Sequence, residues 1–195
     1  MTVLPQPSHR DAGVIAFTAY SVVFVDEDPR WVAETLASVE CDPLAAPLNP
    51  RFLAALMDRT DRVADTVDLL VVADPLPGPP PLELREIDDP HHPRVLRARR
   101  YREDVRVWTT DGGGVLILGR AVAGRWEAAI EVDEAVRHRG LGRLLATAAR
   151  HLVPGDDQPV WAQVAPGNAR GIRAFQAAGY RAAGAEILLL PRDDA

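Results

Sequence analysis

Residues 74–81 constrain the fold of this chain more than any other stretch. Five of the eight are proline: Pro75, Pro77, Pro79, Pro80 and Pro81. Proline fixes φ and has no N–H, so the stretch is excluded from helix and from the interior of a sheet. It reads as a stiff connector over residues 75–81. Regular structure is therefore expected on either side, in residues 1–74 and in residues 82–191.

Upstream, the first ten residues show no pattern and are expected to be loose. Residues 14–25 are rich in Val, Ile, Phe and Tyr, which predicts one long strand or a hairpin. Asp28-Pro29 and Asn49-Pro50 are helix starts, each a capping side chain followed by a first-turn proline. Trp31, Val32, Leu36 and Val39 give the first helix an apolar face, and Phe52, Leu53, Leu56 and Met57 the second. Residues 67–73 read as a short buried strand. Downstream, strands are expected at residues 82–87, 105–110, 115–119, 126–132, 160–165 and 180–190. Helices are expected at 93–102, 140–152 and 168–178. This alternation predicts an α/β mixed sheet, preceded by an N-terminal α/β extension.

Composition narrows the function classes. The 195 residues are 47% hydrophobic and 26% charged, values of an ordinary globular chain, which excludes disorder, coiled coil and collagen. The 22 basic residues are all Arg and stand against 28 acidic ones, a formal charge of −6. That balance argues against nucleic acid as a partner. The single cysteine, Cys41, allows no internal disulfide and no Cys-based zinc site, and points to a cytoplasmic setting. No apolar run approaches the roughly 20 residues of a membrane helix. Residues 12–25 come nearest, but Asp26, Glu27 and Asp28 follow with no cleavage pattern, so strand is expected rather than signal peptide.

The richest chemistry lies at the junction after Val132. An apolar strand ends there, a short polar loop follows, and Arg137, Gly140 and Gly142 lead straight into a helix. First-turn N–H groups have no helical partner, and the helix dipole adds partial positive charge. Bare glycines let a phosphate approach the backbone. Arg139 and Arg143 can add charged contacts. A second junction runs from the strand at 160–165 through Asn168 into a helix bearing Phe175 and ending at Gly179-Tyr180.

With both motifs in order, residues 82–190 resemble the GNAT superfamily of N-acetyltransferases; residues 1–80 do not. The resemblance implies a mixed, mostly antiparallel sheet with two splayed central strands, flanked by helices, and acetyl-CoA as co-substrate with no metal. It implies main-chain contacts from Ile130, Glu131 and Val132 to the pantetheine arm. It implies a pyrophosphate site on His138, Arg139, Gly140, Leu141, Gly142 and Arg143, with Arg137 opening the motif. Asn168 is implied on the opposite side of the arm, and Phe175 near the sulfur. The implied reaction is direct attack by a primary amine, from a small molecule or peptide, on the thioester.

Glu127 and Glu131 are the candidate bases. Strand alternation puts both on the face away from the aliphatic Ala128, Ile130 and Val132, and so toward the cleft. Gln163 is a third polar strand position, able to orient a water but not to act as a base. Many relatives carry Tyr where this chain has Phe175, and that hydroxyl protonates the leaving sulfur. The general acid is therefore open, as is the alternative of a coenzyme A-binding sensor or interaction module. A further alternative is an acetyltransferase acting on aminoacyl-tRNA, which would use the arginines at 94, 97, 99, 100, 102 and 106. Those arginines equally suit a solvated helix or an anionic acceptor. His91-His92 point apart and suit a loop. Trp108, Trp126 and Trp161 suit core packing or an acceptor wall. Residues 1–80 suit a cap over the acceptor side or a homodimer face.

Overall fold

The computed structural model describes residues 1–155 and 157–192. Along the chain run β1 (Thr2–Leu4), β2 (Ala12–Phe17), β3 (Tyr20–Phe24), α1 (Pro29–Ala37), α2 (Pro50–Thr60), β4 (Arg62–Val63) and β5 (Asp68–Ala73). Then come β6 (Arg85–Glu86), α3 (Pro93–Arg99), β7 (Glu103–Thr110), β8 (Gly114–Arg120), β9 (Trp126–Val132) and α4 (Leu141–Leu152). β10 (Val160–Val164), α5 (Ala169–Ala177) and β11 (Arg181–Pro191) complete it. The backbone divides into two compact units, one of Leu70–Ala182 and one of Met1–Leu69 with the chain from Ala183 onward.

In the unit containing the N-terminus the strand order is β1-β3-β2-β11, with β4 also pairing β11. The residues expected to form one strand or a hairpin form the antiparallel hairpin β2–β3. The first residues are not loose. β1 pairs parallel with β3, Leu4 O accepts from Val25 N at 3.0 Å, and Val3 packs on the core. A parallel partner about 20 residues away leaves no turn signal, so sequence pattern alone misses it. Asp28 and Asn49 cap α1 and α2 through bonds from Arg30 N and Arg51 N, at 2.8 and 2.9 Å. Such caps stabilise by about 1 kcal/mol each. Val32 of α1 and Phe52, Leu53 and Leu56 of α2 close over Ala12, Val14, Val23, Val25, Ile187 and Leu189.

In the other unit the order is β5-β10-β9-β8-β7-β6. β6 to β9 are antiparallel neighbours and β10 joins β9 in parallel. β6 is shorter than the strand expected at 82–87. The connector before it is clipped to the end of α4, where Leu76 N donates to Arg150 O and Arg150 Nε to Asp74 O, both at 2.8 Å. The chain meets β7 only at Arg85 and Glu86.

Register sorts β9 into two faces. Glu127, Ala129 and Glu131 stand opposite Gly119, Ile117 and Val115 of β8. α3 covers this face, with Val95 and Ala98 packed on Val107, Val115, Ile117 and Ala129. α4 lies on the other face, where Gly142 approaches Ile130 and Val132. Only Trp126 and Glu127 of β9 pair with β10, at Val160 and Trp161. Beyond that point β9 runs on to Val132 and β10 to Val164 without pairing to each other, so the two strands part as the resemblance implied.

Candidate active site

A cleft of about 900 Å³ lies between the end of β9, the loop and first turn of α4, and α5. Its lining includes Ile130, Glu131 and Val132 of β9, then Arg137, His138, Gly140, Leu141, Gly142 and Arg143. The loop before α4 is fixed to the strand it leaves, because Arg137 Nε donates to Val132 O at 3.1 Å. His138 and Gly140 both have left-handed backbones, φ +67° and +83°. That conformation is unfavourable for a side-chain-bearing residue such as His138, and such strain concentrates at ligand sites. Gly140 caps α4 with no side-chain bond, so the helix amides are not capped from within.

The two glycines serve different ends. A Cβ at Gly140 would meet nothing within 4 Å, so the left-handed turn is what requires glycine there. A Cβ at Gly142 would meet Ala174 Cβ at 3.4 Å, with Ile130 and Val132 at 3.8 Å. Gly142 therefore seats α4 against α5 and β9, rather than only clearing room for a phosphate.

The two glutamates separate. Glu131 lines the cleft and is ion-paired to Arg94, itself a lining residue; their side chains are 36% and 35% exposed. Glu127 does not line it. At 2% exposure, it accepts from Arg102 Nη2 at 2.5 Å on one oxygen and from Arg125 Nη2 at 3.0 Å on the other. The face expected to look into the cleft is covered by α3, whose N-terminal turn carries Arg94 and whose following residues carry Arg102. Gly119 makes the closure possible, since a Cβ there would lie 2.8 Å from Arg102 Cβ and 3.0 Å from Glu103 O.

α5 supplies the opposite wall through Asn168, Arg170, Gly171, Arg173, Ala174 and Ala177. Asn168 caps that helix, its Oδ1 accepting from Gly171 N at 2.9 Å. Arg170, Arg173, Ala174 and Ala177 were not singled out in the sequence. Their three- and four-residue spacing from one another, at 170, 173, 174 and 177, is the signal that would have found them. Phe175 is outside the lining. It is 4% exposed and meets the Tyr180 ring edge-on at 4.9 Å. Tyr180 donates to Ala146 O at 3.2 Å, and burial pushes its phenol well above the usual range. Arg139 and Gln163 are also outside the lining.

The remaining candidates have structural partners. His92 Nδ1 accepts from Arg94 N at 3.3 Å, capping α3. Trp108 and Trp126 are buried, with Arg106 and Arg120 stacked over them at 4.7 and 4.3 Å. Arg106 also forms a two-bond pair with Glu86, which lowers the Glu86 carboxyl below its usual range. Cys41 is exposed and unpaired with another cysteine. Among the described residues no helix is long and apolar enough to cross a membrane. Although the chain is acidic, the cleft lining holds five arginines against three carboxylates.

Residues 127–188 match the family described as FR47-like protein. Among solved structures the chain is similar to a GCN5-related N-acetyltransferase from Kribbella flavida, with 15% identity over 95% of this chain and 89% of that one, TM-score 0.48. It is also similar to a GCN5-related N-acetyltransferase from Sphaerobacter thermophilus, with 13% identity over 71% of this chain and 55% of that one, TM-score 0.41. No curated protein matches. The family match runs from Glu127 through α4, β10 and α5 into β11, and so spans both junctions that wall the cleft. The similarity to the FR47-like family is thus confined to residues 127–188, about a third of the chain.

Proposed function

We propose that the cleft is the site of an N-acyltransferase, which moves an acetyl or other acyl group from its coenzyme A thioester to a primary amine by direct attack. One observation carries this: the freed edge of β9, the uncapped turn of α4 and an accessible glutamate line the same cleft. The residues fit the coenzyme. The backbone of Ile130, Glu131 and Val132 would pair with the pantetheine arm as an added strand. The amides from His138 to Arg143 would hold the pyrophosphate, and Asn168 would meet the arm from the α5 side. An arginine-rich lining suits a polyanion, and the volume lies within the range of small-molecule sites.

The thioester supplies an activated carbonyl; the chain's residues manage protons and charge. An alkylammonium with pKa about 10 must shed a proton before it can attack. Glu131 takes that proton and passes it to solvent. The acceptor nitrogen then bonds to the carbonyl carbon as the C–S bond breaks, and a backbone N–H on the freed edge stabilises charge on the carbonyl oxygen. The nitrogen sheds its second proton and the leaving sulfur takes one up. One ammonium and one thioester become one amide, one thiol and one released proton. A thiol pKa of about 8.5 lets sulfur leave without a dedicated acid, consistent with Phe175 at the position where relatives carry Tyr.

That same Phe175 favours the alternative, a coenzyme A-binding module without turnover. The experiment is an amine panel with acetyl-CoA and thiol-release detection, run beside calorimetric titration of acetyl-CoA onto wild type and Arg143→Glu. A transferase releases thiol only with acceptor, and Arg143→Glu weakens coenzyme binding by about tenfold or more. Wild-type binding without release for any amine selects the module. No binding by wild type overturns both.

A further inference from the structure

Resting on the transferase function above, we infer that the acceptor is an amino carboxylate, an amine with a carboxylate a few bonds away, of which α-amino acids are the simplest case. Glu131, the cleft-lining glutamate of β9, is held by Arg94. This pair lies on the α3 face of β9, whereas the glycine turn and α4 lie on the other face. Arg94 is fixed in place. Its neighbour Val95 is buried against Val107, Val115 and Ile117, and its own amide donates to His92. Arg97, Arg99 and Arg100 of the same segment are exposed to solvent.

Charge balance sets the preference. A simple alkylammonium reaching Glu131 must displace Arg94 and leave a guanidinium without its carboxylate. An amino carboxylate inserts between the two, its ammonium on Glu131 and its carboxylate on Arg94, so one ion pair becomes two. The planar fork of arginine suits a carboxylate, through two parallel N–H···O bonds. Both side chains are about one-third exposed, so an acceptor can reach them from solvent. The chemistry is unchanged: the amine gains the acyl group, and the carboxylate is neither consumed nor altered.

The test uses the full chain with acetyl-CoA and a panel of α-amino acids. Each is paired with its decarboxylated amine and its carboxamide, and thiol release is recorded for wild type, Arg94→Met and Arg94→Lys. The expected result is a KM for the best amino acid roughly 10- to 100-fold below that of its amine and carboxamide. Arg94→Met should collapse that ratio to near one, and Arg94→Lys should restore part of it. Thiol release with amines, carboxamides and amino acids alike, or a preference that survives Arg94→Met, overturns this inference and leaves the transferase standing. Thiol release with no amine of any kind overturns the transferase function, and this inference with it.

Discussion

Glu127 and Glu131 stand four residues apart on one face of β9, and each is met by an arginine from the α3 segment, yet the two ends of the strand differ in kind. At the Glu127 end both carboxylate oxygens are bonded, two guanidiniums close in, and the group is buried. At the Glu131 end one arginine meets a glutamate that still touches the cleft. The same residue type on the same face is therefore internal glue at one end and open to the cleft at the other. What separates them is which part of α3 lies above, and whether β10 is still paired alongside.

The largest effect should come from breaking the sealed end. Glu127→Ala removes the carboxylate shared by Arg102 and Arg125, whose side chains are only 13% and 12% exposed. Removing one partner of a buried pair costs about 3–5 kcal/mol. Glu131→Ala, at a partly exposed pair, should cost under about 1 kcal/mol. Urea unfolding of the two variants checks this, and equal losses would erase the distinction. Next, Gly119→Val would press a side chain into Arg102 and Glu103, costing about 1–3 kcal/mol by overpacking. Only part of that loss should be relieved in an Arg102→Ala background, which removes the Arg102 Cδ at 3.1 Å but keeps its Cβ at 2.8 Å and the Glu103 carbonyl at 3.0 Å. A double-mutant cycle reads it directly.

The smallest effect sets the baseline. Glu86 and Arg106 form the same kind of two-bond pair on the surface, with side chains 42% and 46% exposed. The hydrogen bond from Arg106 lowers the Glu86 carboxyl, so its folded value lies below its unfolded value. The stability it adds is present above an unfolded pKa of about 4.3 and is lost as pH falls through the folded value. Exposure limits it to roughly 0.3 kcal/mol. Glu86→Gln should therefore lower stability slightly at pH 7 and not at pH 2. A loss as large as that of Glu127→Ala would mean that burial is not what distinguishes the pairs.

Much of this was legible in the sequence because the signals are local. Asp28-Pro29 and Asn49-Pro50 start α1 and α2 where expected, and the glycine turn after Val132 leads into α4 as expected. Alternation correctly put Glu127 and Glu131 on one face. It could not reveal that α3 covers that face, because the covering element is a matter of tertiary packing. Arg94 was one of six arginines in a short stretch of a chain whose every basic residue is Arg, so nothing local marked it. β1 went unseen for a similar reason, since its partner is distant along the chain. Gly142 was assigned to phosphate clearance, whereas its closest would-be contact is Ala174 of α5, a helix-packing constraint that no spacing rule exposes.

The most direct measurement of the central claim is the pH dependence of kcat/KM for thiol release with one acceptor, in wild type, Glu131→Gln and Glu127→Gln. If Glu131 removes the ammonium proton, Glu131→Gln loses rate mainly near neutral pH, by roughly 100-fold or more, and recovers toward wild type as pH approaches 10, where free amine is abundant. Glu127→Gln, with its carboxamide inside the arginine clamp, should change stability more than the shape of the profile. A Glu131→Gln profile parallel to wild type at every pH, or a neutral-pH loss confined to Glu127→Gln, would contradict the assignment of the open end of β9 as the reactive one.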